Sequence, residues 1–172
     1  MRFLTVAVVL STLSGCAALE PITEENKTIE LVTEAPNFTK DQIYTGSKVW
    51  IAENFKSAKS VIEYDSKEEG VIIGNGTTSY PCTGMECLQA GAATDWKLQF
   101  TMRLDAKDGK FRTTFTNLSI YKPASYSQYG GLNKGGDDYL TQGALPAVKA
   151  KLLAYPQRIK DSLQKNNAKK DW

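Results

Sequence analysis

Trp96, Leu98, Phe100, Met102 and Leu104 alternate with Lys97, Gln99, Thr101, Arg103 and Asp105, and this period of two predicts a strand buried on one face and wet on the other. Asp108-Gly109 suits a type I′ turn. Pairing Lys107 with Lys110 then sets Met102 opposite Phe115 on the inner face and Asp105 opposite Arg112 on the outer. Beyond Phe115 the apolar parity flips to Leu118 and Ile120, which predicts a bulge or the strand's end near Asn117. Residues 60–64 and 70–80, rich in Val, Ile and Thr, read as a further hairpin around the polar turn 65–69. Residues 28–32 carry Ile29 and Leu31 on one face, a short first strand that Pro36-Asn37 ends.

The helical period appears twice. Thr39-Lys40-Asp41-Gln42 is a capping-box pattern, with Phe38 and Ile43 placed as its hydrophobic staple and Asp41 near the positive end of the dipole. Ile43, Ser47, Trp50 and Asn54 interleave with Tyr44, Ile51 and Phe55 as one face, so Trp50 is a packing residue. From Pro146, the residues Val148, Leu152, Tyr155, Ile159 and Leu163 mark a second helix, kinked at Pro156 and fraying after Lys165. Residues 122–143 read as a Gly-rich loop punctuated by Tyr126 and Tyr129, which serve either as a lid on the domain's own core or as a stacking surface for a ligand. Asp137-Asp138 reads as helix capping, since it lacks the rhythm of a calcium loop. The order is strand, helix, four strands, helix. It predicts an α+β fold with a single antiparallel sheet of about five strands, both helices on one face and polar side chains on the other.

The first residues carry an address. Met1-Arg2 precedes an apolar run of 11 residues, Phe3 to Leu13, too short to span a bilayer core of about 30 Å as a helix. Leu13-Ser14-Gly15-Cys16 then resembles the bacterial lipobox, in which the cysteine is thioether-linked to diacylglycerol and becomes the first residue. Residues 1–15 are thus expected to be a signal peptide, 16–26 a lipidated cysteine and flexible tether, 27–165 the domain and 166–172 a basic tail. Ala17 is not the aspartate that marks inner-membrane retention, so the expected location is the outer membrane, facing the periplasm, with the membrane itself as a partner through the lipid on Cys16. Cys82 and Cys87 remain as an even pair, for which a disulfide is the expectation in an oxidising compartment, stabilising by about 2 kcal/mol. Two cysteines without histidine fall short of a zinc ligand set.

The stretch 38–44, Val49-Trp50-Ile51-Ala52-Glu53-Asn54-Phe55, Ser60 to Asp65 and Gly70 to Gly76 resembles a bacterial family designated domain of unknown function 4468, over roughly residues 28–120. The resemblance implies a TATA-binding-protein-like fold, with the Cys82–Cys87 loop as an elaboration. It brings no catalytic motif and no functional residues, and it does not imply DNA binding, because fold does not fix function and the wet sheet face has no basic stripe.

Composition narrows the chemistry. With 172 residues, 41% hydrophobic, 23% charged and a mean hydropathy of -0.36, the chain has room for one domain. Its net charge of +2, with both signs interspersed, steers it toward neither nucleic acid nor anionic lipid. The absence of histidine removes His-based triads and imidazole metal ligands. No GxSxG or DxD pattern supplies a nucleophile elbow or carboxylate pair, and Gly74-Asn75-Gly76 lacks the lysine and following helix of a phosphate loop, so a bulge or bend is expected there. No cofactor, metal or catalytic residue is implied, and a hydrolase is the least favoured reading. The expected role is a membrane-tethered binding or protein-interaction module for an envelope partner. Its candidate residues are Gln99, Thr101, Arg103, Arg112, Thr114 and Thr116 on the polar sheet face, or Tyr126 and Tyr129 on the loop. The alternative is a small-molecule or glycan carrier with a pocket under 122–143.

Overall fold

Two helices lie on one face of an antiparallel sheet in the computed structural model, which describes residues 19–55, 62–81, 95–126 and 130–168. A 3-10 turn, Glu24–Lys27, leads into β1 (Ile29–Glu34) and α1 (Lys40–Asn54). There follow β2 (Ile62–Ser66), β3 (Val71–Ser79), β4 (Lys97–Lys107), β5 (Lys110–Lys122), β6 (Ser125–Tyr126), β7 (Leu132–Asn133), β8 (Gly136–Tyr139) and α2 (Leu145–Ala168). The strands run β1-β5-β4-β3-β2, with β8 a sixth strand on β5. Because β4 occupies one edge of β5, β1 at residues 110–115 and β8 at 119–122 lie end to end along the other.

The β4–β5 hairpin has the register that the alternation predicts. Met102 faces Phe115 and Asp105 faces Arg112, while Leu98, Phe100, Met102 and Leu104 are buried. Between Gln99 and Thr101 the register slips, and Asn117 takes a φ of 52°, a bulge with asparagine in the left-handed position. The turn differs from the expected type I′, which needs positive φ at both central residues: Gly109 has φ 74° and Asp108 does not share it. Tertiary contacts hold this turn. Ala35 N–H donates to Gly109 O at 2.7 Å, Gly109 N–H donates to Phe38 O at 2.9 Å, and Lys40 N–H donates to Asp108 Oδ1 at 2.6 Å.

Helix α1 begins with the predicted capping box, Gln42 N–H on Thr39 Oγ1 at 3.3 Å and Thr39 N–H on Gln42 Oε1 at 2.9 Å. Phe38 and Ile43 are both buried, as a staple requires. Trp50, Phe55, Phe100, Phe115 and Tyr155 form one aromatic cluster, with neighbouring ring centroids 5.4 to 6.2 Å apart. Asn54 leaves the expected face: it is exposed, and its Nδ2 closes the helix on Trp50 O. In α2, Val148, Leu152, Tyr155, Ile159 and Leu163 are buried as the spacing predicts, and the helix continues through Pro156 to Ala168, past Lys165.

Four expectations are corrected. Residues 122–143 are not a plain loop: β6 pairs with β7, and β8 pairs with β5, which outruns β1 and whose free amides and carbonyls need partners. Residues 20–26 are not a flexible tether. Ile22 is buried and donates to Leu140 O at 2.9 Å, Gln142 N–H reaches Glu20 O at 2.8 Å, and Pro21 bridges to Thr141. The first strand ends at Glu34, with Ile29 and Thr33 buried but Leu31 exposed at the sheet's edge. The irregularity expected at Gly74-Asn75-Gly76 falls on the facing strand, between Ile62 and Tyr64, while Gly76 leaves the space that the Phe100 ring fills.

Candidate binding surface

The outward positions of β1, β5, β4 and β3 share one face, away from α1 and α2, and all six candidate sheet residues meet there in cross-strand pairs or contacts. Thr101 faces Thr116, Arg103 faces Thr114, and Arg112 faces Asp105. Gln99 pairs with Ser119, whose Oγ donates to Gln99 Oε1 at 3.2 Å. Asp105, only 16% exposed, is the pivot: Arg103 donates to it through Nε at 2.9 Å and Nη2 at 2.7 Å, and Arg112 through Nη2 at 3.3 Å. Burial alone would raise the Asp105 pKa, but the Arg103 hydrogen bonds and charge, then those of Arg112, hold it below the usual carboxylate value. Both guanidiniums remain half exposed, and each is fixed in direction by the shared carboxylate.

A second polar chain crosses the same face. Asn75 Nδ2 donates to Glu63, Thr101 Oγ1 donates to Asn75 Oδ1 at 2.8 Å, and Asn117 Nδ2 donates to Thr101 Oγ1 at 3.1 Å. On the β1 side, Thr114 Oγ1 donates to Glu30 Oε2 at 3.3 Å. Sequence reasoning missed Glu30, Glu63, Asn75, Asn117 and Ser119. For Asn117 the parity flip was a usable signal; Glu30 and Glu63 join through strands whose register is not local in sequence.

Of the tyrosine pair, Tyr126 is 80% exposed on β6, which excludes a lid over the core, and Tyr129 lies outside the described residues. Cys16, Cys82 and Cys87 also lie outside them. Asp138 caps no helix: it sits in β8 and accepts from Lys122 Nζ at 2.6 Å, a bond that lowers its pKa. Lys122 also stands 4.4 Å from the Trp96 ring centroid.

Two hollows flank the sheet. One of about 360 Å³ lies between the end of α1 and β3, walled by Ile51, Phe55, Ile62, Ile72 and Met102 over the bare backbone of Gly74 and Gly76. The other, an open groove of about 650 Å³, runs between Pro21 and Ile22 on one side and Tyr139 and Leu140 on the other. Tyr126 lines neither. Among the described residues no group of His, Cys, Asp or Glu side chains is placed to hold a metal ion, and no helix is long and apolar enough to cross a membrane. Burial pushes the Tyr155 phenol up and the Lys151 ammonium down; Tyr155 is hydrogen-bonded to Thr78, and Lys151 Nζ donates to Ser79 Oγ at 2.7 Å.

An antiparallel sheet backed by helices on one side and polar on the other is the class of protein that this geometry defines. Residues 30–121 match the family described as a domain of unknown function (DUF4468) with TBP-like fold, and the chain belongs to that family. Two solved structures are similar to it. A TBP-like protein from Parabacteroides distasonis ATCC 8503 superposes with a TM-score of 0.59 at 12% identity, over 84% of this chain and 97% of the other. A DUF4468 family protein from Bacteroides ovatus ATCC 8483 does so with a TM-score of 0.52 at 12% identity, over 87% and 90%. At that identity the likeness concerns the fold. Among proteins of curated function none matches.

Proposed function

We propose that the protein is a non-enzymatic bacterial envelope lipoprotein, tethered through Cys16 at the outer membrane, whose open sheet face binds an envelope protein. Cys82 and Cys87, exported with it, pair as a disulfide. The observation that carries the binding role is the Arg103–Asp105–Arg112 arrangement: one carboxylate orients two half-exposed guanidiniums on a face that no helix of the described residues covers. Preorganised guanidiniums suit a partner's carboxylate, because less side-chain entropy is lost on binding. The test is crosslinking in intact cells followed by affinity purification, with Cys16→Ala as the unlipidated control and Arg103→Ala/Arg112→Ala as the face variant. A partner captured by the lipidated protein and lost from the double variant supports the reading. Unchanged capture with an intact fold removes the face, and no partner in any form overturns the module.

A second reading, a small-molecule carrier, draws on the apolar hollow between α1 and β3 rather than on residues 122–143. Native mass spectrometry of the purified protein tests it: a retained apolar ligand supports a carrier, and repeated apo spectra count against one.

A further inference from the structure

We propose that the edge of the domain formed by residues 19–22 and β8 lies against the lipid headgroups of the anchoring membrane, so that the protein is held there in one orientation. The inference rests on lipidation of Cys16, proposed above. Its first support is the length of the leash. Glu20 accepts from Gln142 N–H at 2.8 Å, Gln142 Nε2 donates to Pro21 O at 3.1 Å, and Ile22 is buried in the core. Only Ala17, Ala18 and Leu19 separate Cys16 from this docked segment. Fully extended, the four steps from Cys16 to Glu20 reach at most about 14 Å. The headgroup layer of one leaflet takes up about 5–8 Å of that, so the docked segment stays within about 10 Å of the membrane surface.

The second support is independent of the leash. Leu19 is 68% exposed and Tyr139 55%, and these side chains belong to the segment entering from Cys16 and to β8, which leads into its bridge partner. Tyr139 is two residues from Thr141, the bridge partner of Pro21. Leucine and tyrosine on such an edge match the chemistry of the membrane interface, where a tyrosine ring meets acyl chains and its hydroxyl stays wet. Anionic lipid does not drive the contact, because Glu20, Glu24 and Glu25 lie on the same stretch. The anchor imposes it, and the apolar side chains make it tolerable. Standing on this edge, the sheet would present Arg103 and Arg112 sideways, open to a partner in the same membrane.

The full-length lipidated protein in phosphatidylcholine vesicles tests this against the same protein with a twelve-residue Gly/Ser linker inserted between Ala18 and Leu19. Flotation and the mass of the modified cysteine report the anchor; hydrogen exchange of peptides covering residues 130–142 reports the contact. The expected result is flotation of both forms, with exchange of that segment slowed about tenfold or more by vesicles in the short-leashed form and far less with the linker. A Leu19→Asp/Tyr139→Asp variant should float with the protection reduced. Flotation with no difference in exchange overturns the inference and leaves the anchor standing. Protection that grows with protein concentration in the absence of vesicles assigns the edge to a second copy and overturns it too. An unmodified Cys16 overturns the anchor and this inference together.

Discussion

Asp108, at the tip of the β4–β5 turn, accepts a 2.6 Å hydrogen bond on Oδ1 from the main-chain N–H of Lys40, the first residue of α1. A helix begins with four amides that have no partner inside it, and this carboxylate and the Thr39 hydroxyl each take one. The hairpin tip therefore caps the helix from a distant part of the chain. Asp108→Ala should cost about 1 kcal/mol, as should Thr39→Ala, in urea denaturation at neutral pH. Asp108→Asn, which keeps an acceptor, should cost less. Wild-type stability in Asp108→Ala would show that water serves the Lys40 amide equally well.

Asp105 supports a prediction in pH. Its folded pKa lies below the unfolded value, so its contribution is fully present above the unfolded pKa and is lost as pH falls through the folded one. The partners are half exposed and partly screened, which keeps the contribution near about 1 kcal/mol. Asp105→Asn should therefore be less stable than wild type by about that much at pH 7, and the gap should close as pH drops below about 4. Denaturation curves at neutral and acid pH decide it. A gap that stays constant with pH would mean that the Asp105 charge is not what stabilises the fold.

Much of this architecture was legible because its signals are local. Alternation around Phe100, a capping box at Thr39 and helical spacing from Val148 to Leu163 each depend on neighbours in sequence, and the hairpin register followed from one two-residue turn. What was not legible depends on distant partners. Asp108 left the type I′ conformation because Ala35, Phe38 and Lys40 engage the turn. Residues 20–22 docked because Leu140 and Gln142 offer main-chain partners, although their own composition is that of a linker. For the candidate surface, Asp105 and Arg112 could be paired from the sequence, whereas Glu63 and Asn75 needed the β2–β3 and β3–β4 registers first.

Asn117 holds the bulge with a φ of 52°, a conformation that asparagine tolerates and β-branched residues resist. Asn117→Val should cost about 1–3 kcal/mol from backbone strain. Asn117→Gly relieves the strain but deletes the amide bond to Thr101 Oγ1, so its loss should be smaller. Thermal melts of the two variants separate backbone from side chain: equal losses would place the whole effect in the Thr101 bond.

Gly46 lies inside α1, where glycine costs about 1 kcal/mol relative to alanine, so its presence calls for a packing reason. Leu163 of α2 supplies it: a Cβ at Gly46 would overlap Leu163 Cδ2, and Leu163 is itself buried. The obstacle is the end of a side chain, not backbone, so a single methyl can be met by a rotamer change that offsets the gain in helix propensity. Gly46→Ala should therefore be nearly neutral. Gly46→Val brings more bulk than one rotamer change accommodates and should destabilise by about 1–3 kcal/mol. If Leu163 is the obstacle, Gly46→Val in a Leu163→Ala background should lose markedly less than the two single variants combined, with a coupling of about 0.5–3 kcal/mol in a double-mutant cycle. Strictly additive losses would show that α1 and α2 meet elsewhere and that Gly46 is not what sets their approach.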